Sequence, residues 1–270
     1  MDARPIGMFD SGFGGLTVAR AVMDLLPSED LVYLGDTGRY PYGPRDLVEV
    51  RGFARQITRH LVEDYDVKVV VVACNTAAAA ALDVLSEECP VPVLGVIDPG
   101  ARALTQTTVT GRVGVIGTVG TIGSGAYQQA VRDAAGDAQV TLTCAACPGF
   151  VEFVERGETD SEQVYVLAER LLEPVRRAGV DALLLGCTHY PFLARTIGDV
   201  MGRDVVLVSS ADETAFALKS LLDAADLASE SGRPGKHRWL STGDAAEFAR
   251  LGRRLLGPEL DVVDALEWRA

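Results

Sequence analysis

The sequence is poor in aromatic residues and contains no long hydrophobic run. Aromatic side chains make up 6% of its 270 residues. The most apolar stretch, 69–82, is interrupted by Asn75 and Thr76 and falls short of the roughly 18 residues that argue for a membrane span. The N-terminal segment, which carries Asp2 and Asp10, does not resemble a secretory signal peptide. We therefore expect a cytoplasmic protein with no membrane partner.

Positive charge is also scarce. The 25 lysines and arginines face 38 acidic residues, which gives a net charge of −13. Nucleic-acid binding depends on neutralising phosphates, so this excess of negative charge disfavours a nucleic-acid partner. The five cysteines are an odd number, which argues against a full disulfide framework, and in the cytoplasm they should be reduced.

Apolar aliphatic residues, by contrast, are abundant. Hydrophobic residues make up 48% of the chain, which is enough for a large core, and the length suggests about two domains. Short apolar runs alternate with longer amphipathic segments, a pattern that predicts parallel sheets with helices on both faces. The predicted strands are 6–9, 31–34, 68–73, 91–96, 112–116, 140–143, 181–185, 205–208, 238–241 and 260–263. The predicted helices are 16–26, 46–65, 76–88, 125–135, 161–178, 191–201, 213–228 and 245–256.

The chain also contains a faint internal repeat. Residues 6–9 and the glycine-rich turn after them resemble 113–116, and 70–76 resemble 183–189 by nearly the same offset. A chance echo of strand composition is one interpretation, and a pair of duplicated domains is the other. Asp98-Pro99-Gly100, just after a predicted strand, resembles a hinge.

Two cysteines occupy matched places in this repeat. Cys74 and Cys187 each follow an apolar strand and precede a helix, where free N–H groups and the helix dipole favour a thiolate. A buried core cysteine is the alternative, and it becomes less attractive when two thiols share one context. Ligands of such sheets bind beyond the carboxyl ends of the strands, so both thiols are expected at the ligand side.

Other polar residues fall at the same predicted edge. His189, two residues after Cys187, is either a satisfied structural histidine or an acid–base partner. Asp10 begins a glycine-rich turn that matches a dinucleotide loop in part, although its carboxylate suits a proton or an ammonium group better than a phosphate. Cys144 and Cys147 form a CxxC with no second motif, so we expect packing residues rather than a zinc site.

Two thiols in matched half-sites suit the inversion of a stereocentre. One thiolate removes a proton from one face of a carbon, and the opposite thiol returns one to the other face. Pyridoxal phosphate is the common alternative route and needs a Schiff-base lysine. Lys68 lies at the wrong end of its strand, Lys219 lies within a helix and Lys236 lies in a loop, so the sequence predicts no such cofactor.

Together these segments resemble the bacterial glutamate racemases of the cofactor-independent Asp/Glu racemase family. The resemblance runs from about residue 6 to about residue 225 and more loosely to the C-terminus. The motifs that carry it are Asp10-Ser11-Gly12, Gly35-Asp36-Thr37, Pro41-Tyr42-Gly43, Ala73-Cys74-Asn75-Thr76, Cys147-Pro148 with Val154-Glu155, and Gly186-Cys187-Thr188-His189-Tyr190-Pro191.

The resemblance implies a fold and an activity. It implies two similar doubly wound α/β domains, 1–97 plus 210–270 and 98–209, related by pseudo-twofold symmetry, with the active site in the cleft between them. It implies interconversion of L- and D-glutamate without cofactor or metal, in a homodimer that supplies D-glutamate for peptidoglycan.

The resemblance also assigns roles to residues. It implies that Cys74 and Cys187 are the two acid–base groups, that Asp10 assists Cys74, and that Glu155 and His189 assist Cys187. Glu152 competes with Glu155 for its role. The implied substrate contacts are Asp10, Ser11, Pro41, Tyr42, Gly43, Cys74, Asn75, Thr76, Thr118, Thr121, Cys187, Thr188 and His189.

Other functions remain open at this point. A related racemase acting on aspartate or another small carboxylate has the same plan. A cysteine-nucleophile hydrolase would use Cys187 with His189 and would be indifferent to the loss of Cys74. A non-catalytic binding module of the same fold is the third alternative, because a fold alone guarantees no chemistry.

Overall fold

The computed structural model describes residues 2–229, 231–260 and 262–268. Within these residues ten strands form two sheets, and every pairing is parallel. The strands are β1 (Ile6–Asp10), β2 (Leu31–Gly35), β3 (Val69–Val72), β4 (Val93–Gly95), β5 (Arg112–Gly117), β6 (Thr141–Ala146), β7 (Ala182–Gly186), β8 (Val206–Ser209), β9 (His237–Ser241) and β10 (Val263–Ala265).

The two sheets share one plan. The first has the order β10-β9-β2-β1-β3-β4, and the second has the order β6-β5-β7-β8. β1 and β5 therefore hold the same central place, with β3 and β7 beside them. This arrangement confirms the predicted fold class and gives the faint internal repeat a structural basis.

Helices connect the strands and cover both faces of the sheets. Those of the described chain are α1 (Leu16–Leu25), α2 (Leu47–Tyr65), α3 (Asn75–Glu88), α4 (Ile97–Thr107), α5 (Val119–Gly123), α6 (Ala126–Ala135), α7 (Phe150–Arg156), α8 (Glu162–Leu171), α9 (Glu173–Arg177), α10 (Ala194–Met201), α11 (Ser210–Ala224) and α12 (Ala245–Leu256). Short 3₁₀ turns cover Tyr190–Leu193 and Gly257–Glu259.

Three predictions of local structure were wrong. Asp98-Pro99-Gly100 is not a hinge but the first turn of α4, where proline is tolerated because the first N–H groups of a helix need no partner within it. The single helix predicted over 161–178 is divided into α8 and α9, with Pro174 in the first turn of α9. The last strand begins at Val263 rather than at Leu260, and Asp261 of the predicted span lies outside the described residues.

Two hydrophobic clusters hold the sheets and helices together. Along β7, Leu184 belongs to the larger cluster while Leu183 and Leu185 belong to the smaller one, as the alternation of side chains along a strand requires. The larger cluster runs through the first sheet and continues across α4 and α11, which pack on each other, to one face of the second sheet. The two sheets are thus joined by a continuous apolar core.

None of the helices among the described residues has the length and hydropathy needed to cross a bilayer.

Candidate active site

Loops that follow the strands of both sheets line one cleft. It contains about 640 Å³ of space, including its solvent-open mouth. Cys74, after β3, and Cys187, after β7, both line it, and each is almost completely buried. The two thiols that the sequence singled out therefore lie in one site, at the carboxyl ends of equivalent strands.

Cys74 is the N-cap residue of α3. Its Sγ accepts a hydrogen bond from Ala77 N at 3.5 Å and donates one to Ser11 Oγ at 3.6 Å. Asp10 lies fully buried on the same side, with Oδ2 accepting from Gly12 N at 3.1 Å and Gly15 N at 3.0 Å. Asp10 Oδ1 is buried without a partner in the described structure. This side of the cleft therefore combines a thiol with a carboxylate.

The helix terminus acts on Cys74 in the predicted direction, but other effects outweigh it. Burial, followed by the negative charge of Asp10, raises the pKa of Cys74 to about 12, and the Ala77 N–H offsets this only in part. Cys74 is consequently a protonated thiol at neutral pH.

The Cys187 side has a histidine where the Cys74 side has only a carboxylate. His189 is buried, and its Nε2 lies 3.7 Å from Glu155 Oε1. Burial alone lowers the pKa of His189, but interactions with Cys187 and then Glu155 outweigh it and raise the pKa to about 10. The imidazole is therefore protonated at neutral pH and places a positive charge beside Cys187.

A close approach of two loops brings the sides together. A Cβ on Gly14 would lie 2.2 Å from Thr188 Oγ1 and 2.5 Å from His189 Nδ1. Because any larger residue would displace these side chains, glycine at this position lets the Asp10 loop contact the Cys187 loop.

Hydroxyl groups link the two halves at another wall of the cleft. Thr76 Oγ1, at the start of α3, lies 3.1 Å from Thr118 Oγ1 and 3.2 Å from Thr121 Oγ1. The Tyr127 hydroxyl donates to Asn75 Oδ1 at 2.5 Å, which leaves Asn75 Nδ2 buried without a partner in the described structure. These small polar groups are suited to carboxylate and ammonium groups of a ligand.

A buried carboxylate fixes the loop that carries Pro41, Tyr42 and Gly43. Asp36 is fully buried and accepts hydrogen bonds from the Tyr42 hydroxyl, from Arg39 Nε at 2.7 Å and from Thr242 Oγ1 at 2.6 Å. The Arg39 guanidinium also stacks on Phe53 and Trp268, with Cζ 4.3 Å and 4.7 Å from the ring centroids.

The C-terminal segment thus contributes to the support of this loop. Thr242 and Trp268 are far from it in the sequence, and sequence reasoning did not identify them. Arg39, which lies between two of the motifs in the sequence, is engaged in this support and does not line the cleft.

Most of the predicted contact residues do line the cleft. They are Ser11, Pro41, Tyr42, Gly43, Cys74, Asn75, Thr76, Thr118, Cys187, Thr188 and His189. Asp10 and Thr121 are buried and do not line it, whereas Glu155 lines a neighbouring pocket that shares His189 with the cleft. The lining residues that were not among the predicted substrate contacts are Tyr40, Pro44, Val119, Cys147, Pro148, Gly149, Val151, Glu152 and Tyr190.

The two cysteines of the CxxC differ in location. Cys144 lies within β6, whereas Cys147 follows that strand, is buried and lines the cleft. Burial, and then the charge of Cys187, raise the pKa of Cys147 to about 12. The Cys147 thiol is therefore uncharged at neutral pH and forms part of the cleft wall.

Lysines are absent from the lining of the cleft as described. Lys68 is fully buried at the opposite end of β3, where its Nζ donates to Glu29 Oε2 at 2.6 Å. Lys219 is exposed and pairs with Asp223. Within residues 2–229, 231–260 and 262–268, no three His, Cys, Asp or Glu side chains are grouped to hold a metal ion.

Comparison with known proteins places this fold and site in context. The sequence profile of the Asp/Glu/hydantoin racemase family matches residues 16–217, well over half of the chain. A glutamate racemase from Parafrankia sp. (strain EAN1pec) is 52% identical over 264 residues, which cover 97% of this chain and 94% of that protein.

Solved structures agree with the sequence comparison. A glutamate racemase isoform from Bacillus anthracis superposes with a TM-score of 0.93 at 40% identity, covering 99% of this chain and 98% of that one. The glutamate racemase from Francisella tularensis, solved with D-glutamate, has a TM-score of 0.90 at 32% identity with the same coverage.

The fold, the paired thiols and these relatives define an amino-acid racemase, an isomerase. Within that class, the chain belongs to the Asp/Glu/hydantoin racemase family.

Proposed function

We propose that this enzyme interconverts L- and D-glutamate with two cysteines as opposed acid–base groups. The observation that carries the proposal is that Cys74 and Cys187, from equivalent strands of two sheets, line one cleft. Relatives of about 50% identity over nearly the whole chain are glutamate racemases, which supports glutamate as the substrate.

In the proposed mechanism, a thiolate removes the α-proton and leaves its electron pair on Cα, delocalised into the α-carboxylate. The opposite thiol then donates its proton to the other face of Cα, and the first sulfur keeps the proton that it removed. By family resemblance, Cys187 takes the proton from L-glutamate and Cys74 takes it from D-glutamate. Asp10 assists Cys74, while His189 and Glu155 assist Cys187.

The carbanion needs stabilisation, because a thiol is a far stronger acid than an α-C–H bond. The backbone N–H groups at the starts of α3 and α5, together with the Thr76 and Thr118 hydroxyls, are available to the substrate carboxylates. Burial of both thiols keeps this chemistry away from bulk water.

Solvent exchange tests the proposal directly. In deuterated water, product formed from either enantiomer should carry deuterium at Cα, while unconverted substrate gains little at early times. A cysteine hydrolase would instead form a covalent acyl-enzyme, and a binding module would exchange nothing. Absence of exchange into both enantiomers of glutamate would refute the proposal, and exchange into aspartate alone would transfer it to that substrate.

We also propose that no cofactor or metal takes part, as the resemblance implies. Purified protein should lack visible absorbance and should keep its activity after dialysis against a chelator. Loss of activity on chelation that one metal restores would contradict this.

Three further proposals concern the cellular role and assembly. The enzyme supplies D-glutamate for peptidoglycan in the cytoplasm, which is tested by rescue of a bacterium that requires D-glutamate. It acts as a homodimer, which light scattering tests.

Its domains are 1–97 plus 210–270 and 98–209, a division supported by the strands of each sheet, because β1–β4, β9 and β10 form one sheet and β5–β8 form the other. Separate expression of 98–209 as a folded unit would test that division.

A further inference from the structure

Three buried polar atoms lie together on the Cys187 side without hydrogen-bond partners in the described structure. They are Tyr40 Oη, His189 Nε2 and Glu155 Oε1. His189 Nε2 and Glu155 Oε1 are 3.7 Å apart, too far for a direct hydrogen bond. Buried polar atoms in folded proteins almost always have a hydrogen-bond partner, so three buried atoms without one, close to the same acid–base pair, require an explanation.

Tyr40 has a defined position beside this pair. Its ring centroid lies 6.2 Å from that of His189, and it lines the cleft. A Cβ on Gly12 would be 3.1 Å from Tyr40 Cδ2, so the ring edge rests on the Asp10 loop. The ring therefore lies between the Asp10 loop and His189.

The chemistry of the three groups is complementary. Burial, and then the negative charge of Glu155, hold the pKa of Tyr40 far above its usual value, so the phenol remains protonated. A phenol hydroxyl both donates and accepts, the imidazolium donates and the carboxylate accepts. One oxygen about 2.8 Å from each partner can bridge a gap of this length.

We propose that Tyr40 is a positioning residue for the His189–Glu155 pair: its hydroxyl accepts a hydrogen bond from His189 Nε2–H and donates one to Glu155 Oε1 when substrate occupies the cleft. The inference rests on the proposed function. The bridge fixes the plane of the imidazole against Cys187, so it acts on proton transfer at Cys187 rather than on substrate binding. It deepens the difference between the two sides, because it serves one thiol only.

The test removes one oxygen atom and keeps the ring. Tyr40→Phe should lower kcat about tenfold, the effect of one lost hydrogen bond, with KM within about twofold of wild type. Tyr165→Phe is the matched control, because it removes a surface hydroxyl that donates to Asp199 at 2.6 Å. It should leave both constants unchanged.

Direction dependence separates a positioning role from a merely structural one. In racemisation the two directions are tied by an equilibrium constant of one, so an irreversible step must be used. Chloride release from β-chloro glutamate provides it, because the base removes the α-proton and chloride leaves with the bond electrons. Tyr40→Phe should slow elimination from the L-configured compound about tenfold and leave the D-configured compound within about twofold.

A double-mutant cycle with Glu155→Gln measures whether Tyr40 acts through Glu155. If Tyr40 acts through Glu155, the double variant should be little slower than Glu155→Gln alone. Independent, multiplying losses would overturn the bridge, as would equal loss for both enantiomers or wild-type kinetics in Tyr40→Phe. If the phenylalanine variant does not fold, Tyr40→Met, which is also apolar, decides by the same measurements.

The outcome for the proposed function is read separately. Wild-type exchange at the α-carbon of glutamate supports the function whatever Tyr40→Phe does. If exchange occurs and Tyr40→Phe behaves as wild type, the function stands and the bridge is wrong. If wild type exchanges nothing, the function fails and the bridge fails with it.

Discussion

Cys74 and Cys187 follow equivalent strands of two sheets with the same order, yet their neighbours differ. Beside Cys74 lies the fully buried carboxylate of Asp10, and none of the described residues that line that side of the cleft is cationic. Beside Cys187 lies His189, which in turn faces Glu155. The strand order β2-β1-β3-β4 of the first sheet matches the order β6-β5-β7-β8 of the second, whereas the charges beside the two thiols differ.

This difference gives the two thiols different electrostatic surroundings. Burial and the negative charge of Asp10 raise the pKa of Cys74 to about 12, so that Cys74 stays protonated at neutral pH. The raised pKa of His189 places a positive charge beside Cys187. A repeated fold thus places two similar groups in different charge environments.

Replacing the charged residue beside each thiol should have the largest effect on the difference between the two sides. Asp10→Asn should slow elimination from D-configured β-chloro glutamate about 100-fold and from the L-configured compound less than tenfold. His189→Asn should show the opposite bias, because it serves the other thiol. Chloride release measures both. Equal losses for both enantiomers in both variants would remove the division of labour.

The pH dependence of stability tests the charge of His189 on the Cys187 side. The folded state raises the pKa of His189 from about 6.5 to about 10, so its contribution is fully present below pH 6.5 and is lost as pH rises toward 10. The free energy of unfolding should fall by more than about 1 kcal/mol over that window. His189→Asn should flatten this slope in denaturant titrations. An unchanged slope would show that His189 is not the titrating group.

The support of the Tyr42 loop should affect substrate binding on both sides alike. Thr242→Val removes the hydroxyl that donates to Asp36, so we expect KM to rise about fivefold, within the value of one hydrogen bond, with kcat nearly unchanged. Thr105→Val, which removes a hydroxyl that donates within its own helix to Arg102 O at 2.9 Å, is the matched control. A change in kcat without a change in KM would contradict a role in binding.

The CxxC should show the smallest effects. Cys144→Ala should leave turnover within about twofold, because Cys144 lies within β6 and outside the cleft. Cys147→Ala, which alters a wall of the cleft, should stay within about tenfold, or about 1.4 kcal/mol of barrier. Steady-state rates of the well-folded variants decide this, and a collapse of activity in either would give the motif a chemical role.

The strands of the sheets could be predicted because parallel strands, which helices cover on both faces, are continuous apolar runs such as Val69–Val72. α4 was missed because Pro99 and Gly100 are usual signals of a loop. In the structure they lie in the first turn of a helix, where a proline needs no N–H partner, so their position in the helix decides the structure and not the residue type alone.

Within the site, the thiols could be predicted because strand ends of parallel sheets meet at one edge. The raised pKa of Cys74 could not be predicted, because the direction of the shift depends on burial and on Asp10, which ends a different strand. Tyr40 and Trp268 were missed for a related reason. Their roles depend on the direction of side chains and on contacts between distant segments, which spacing does not encode.

If two thiols act as opposed bases, racemisation needs both of them, and the single variants Cys74→Ser and Cys187→Ser test this requirement. Each should lose racemisation of glutamate by at least about 1,000-fold, since a serine hydroxyl is a far weaker acid than a thiol. With β-chloro glutamate, Cys74→Ser should still release chloride from the L-configured compound, and Cys187→Ser from the D-configured compound. Racemisation at near wild-type rate by either variant would contradict the two-base account.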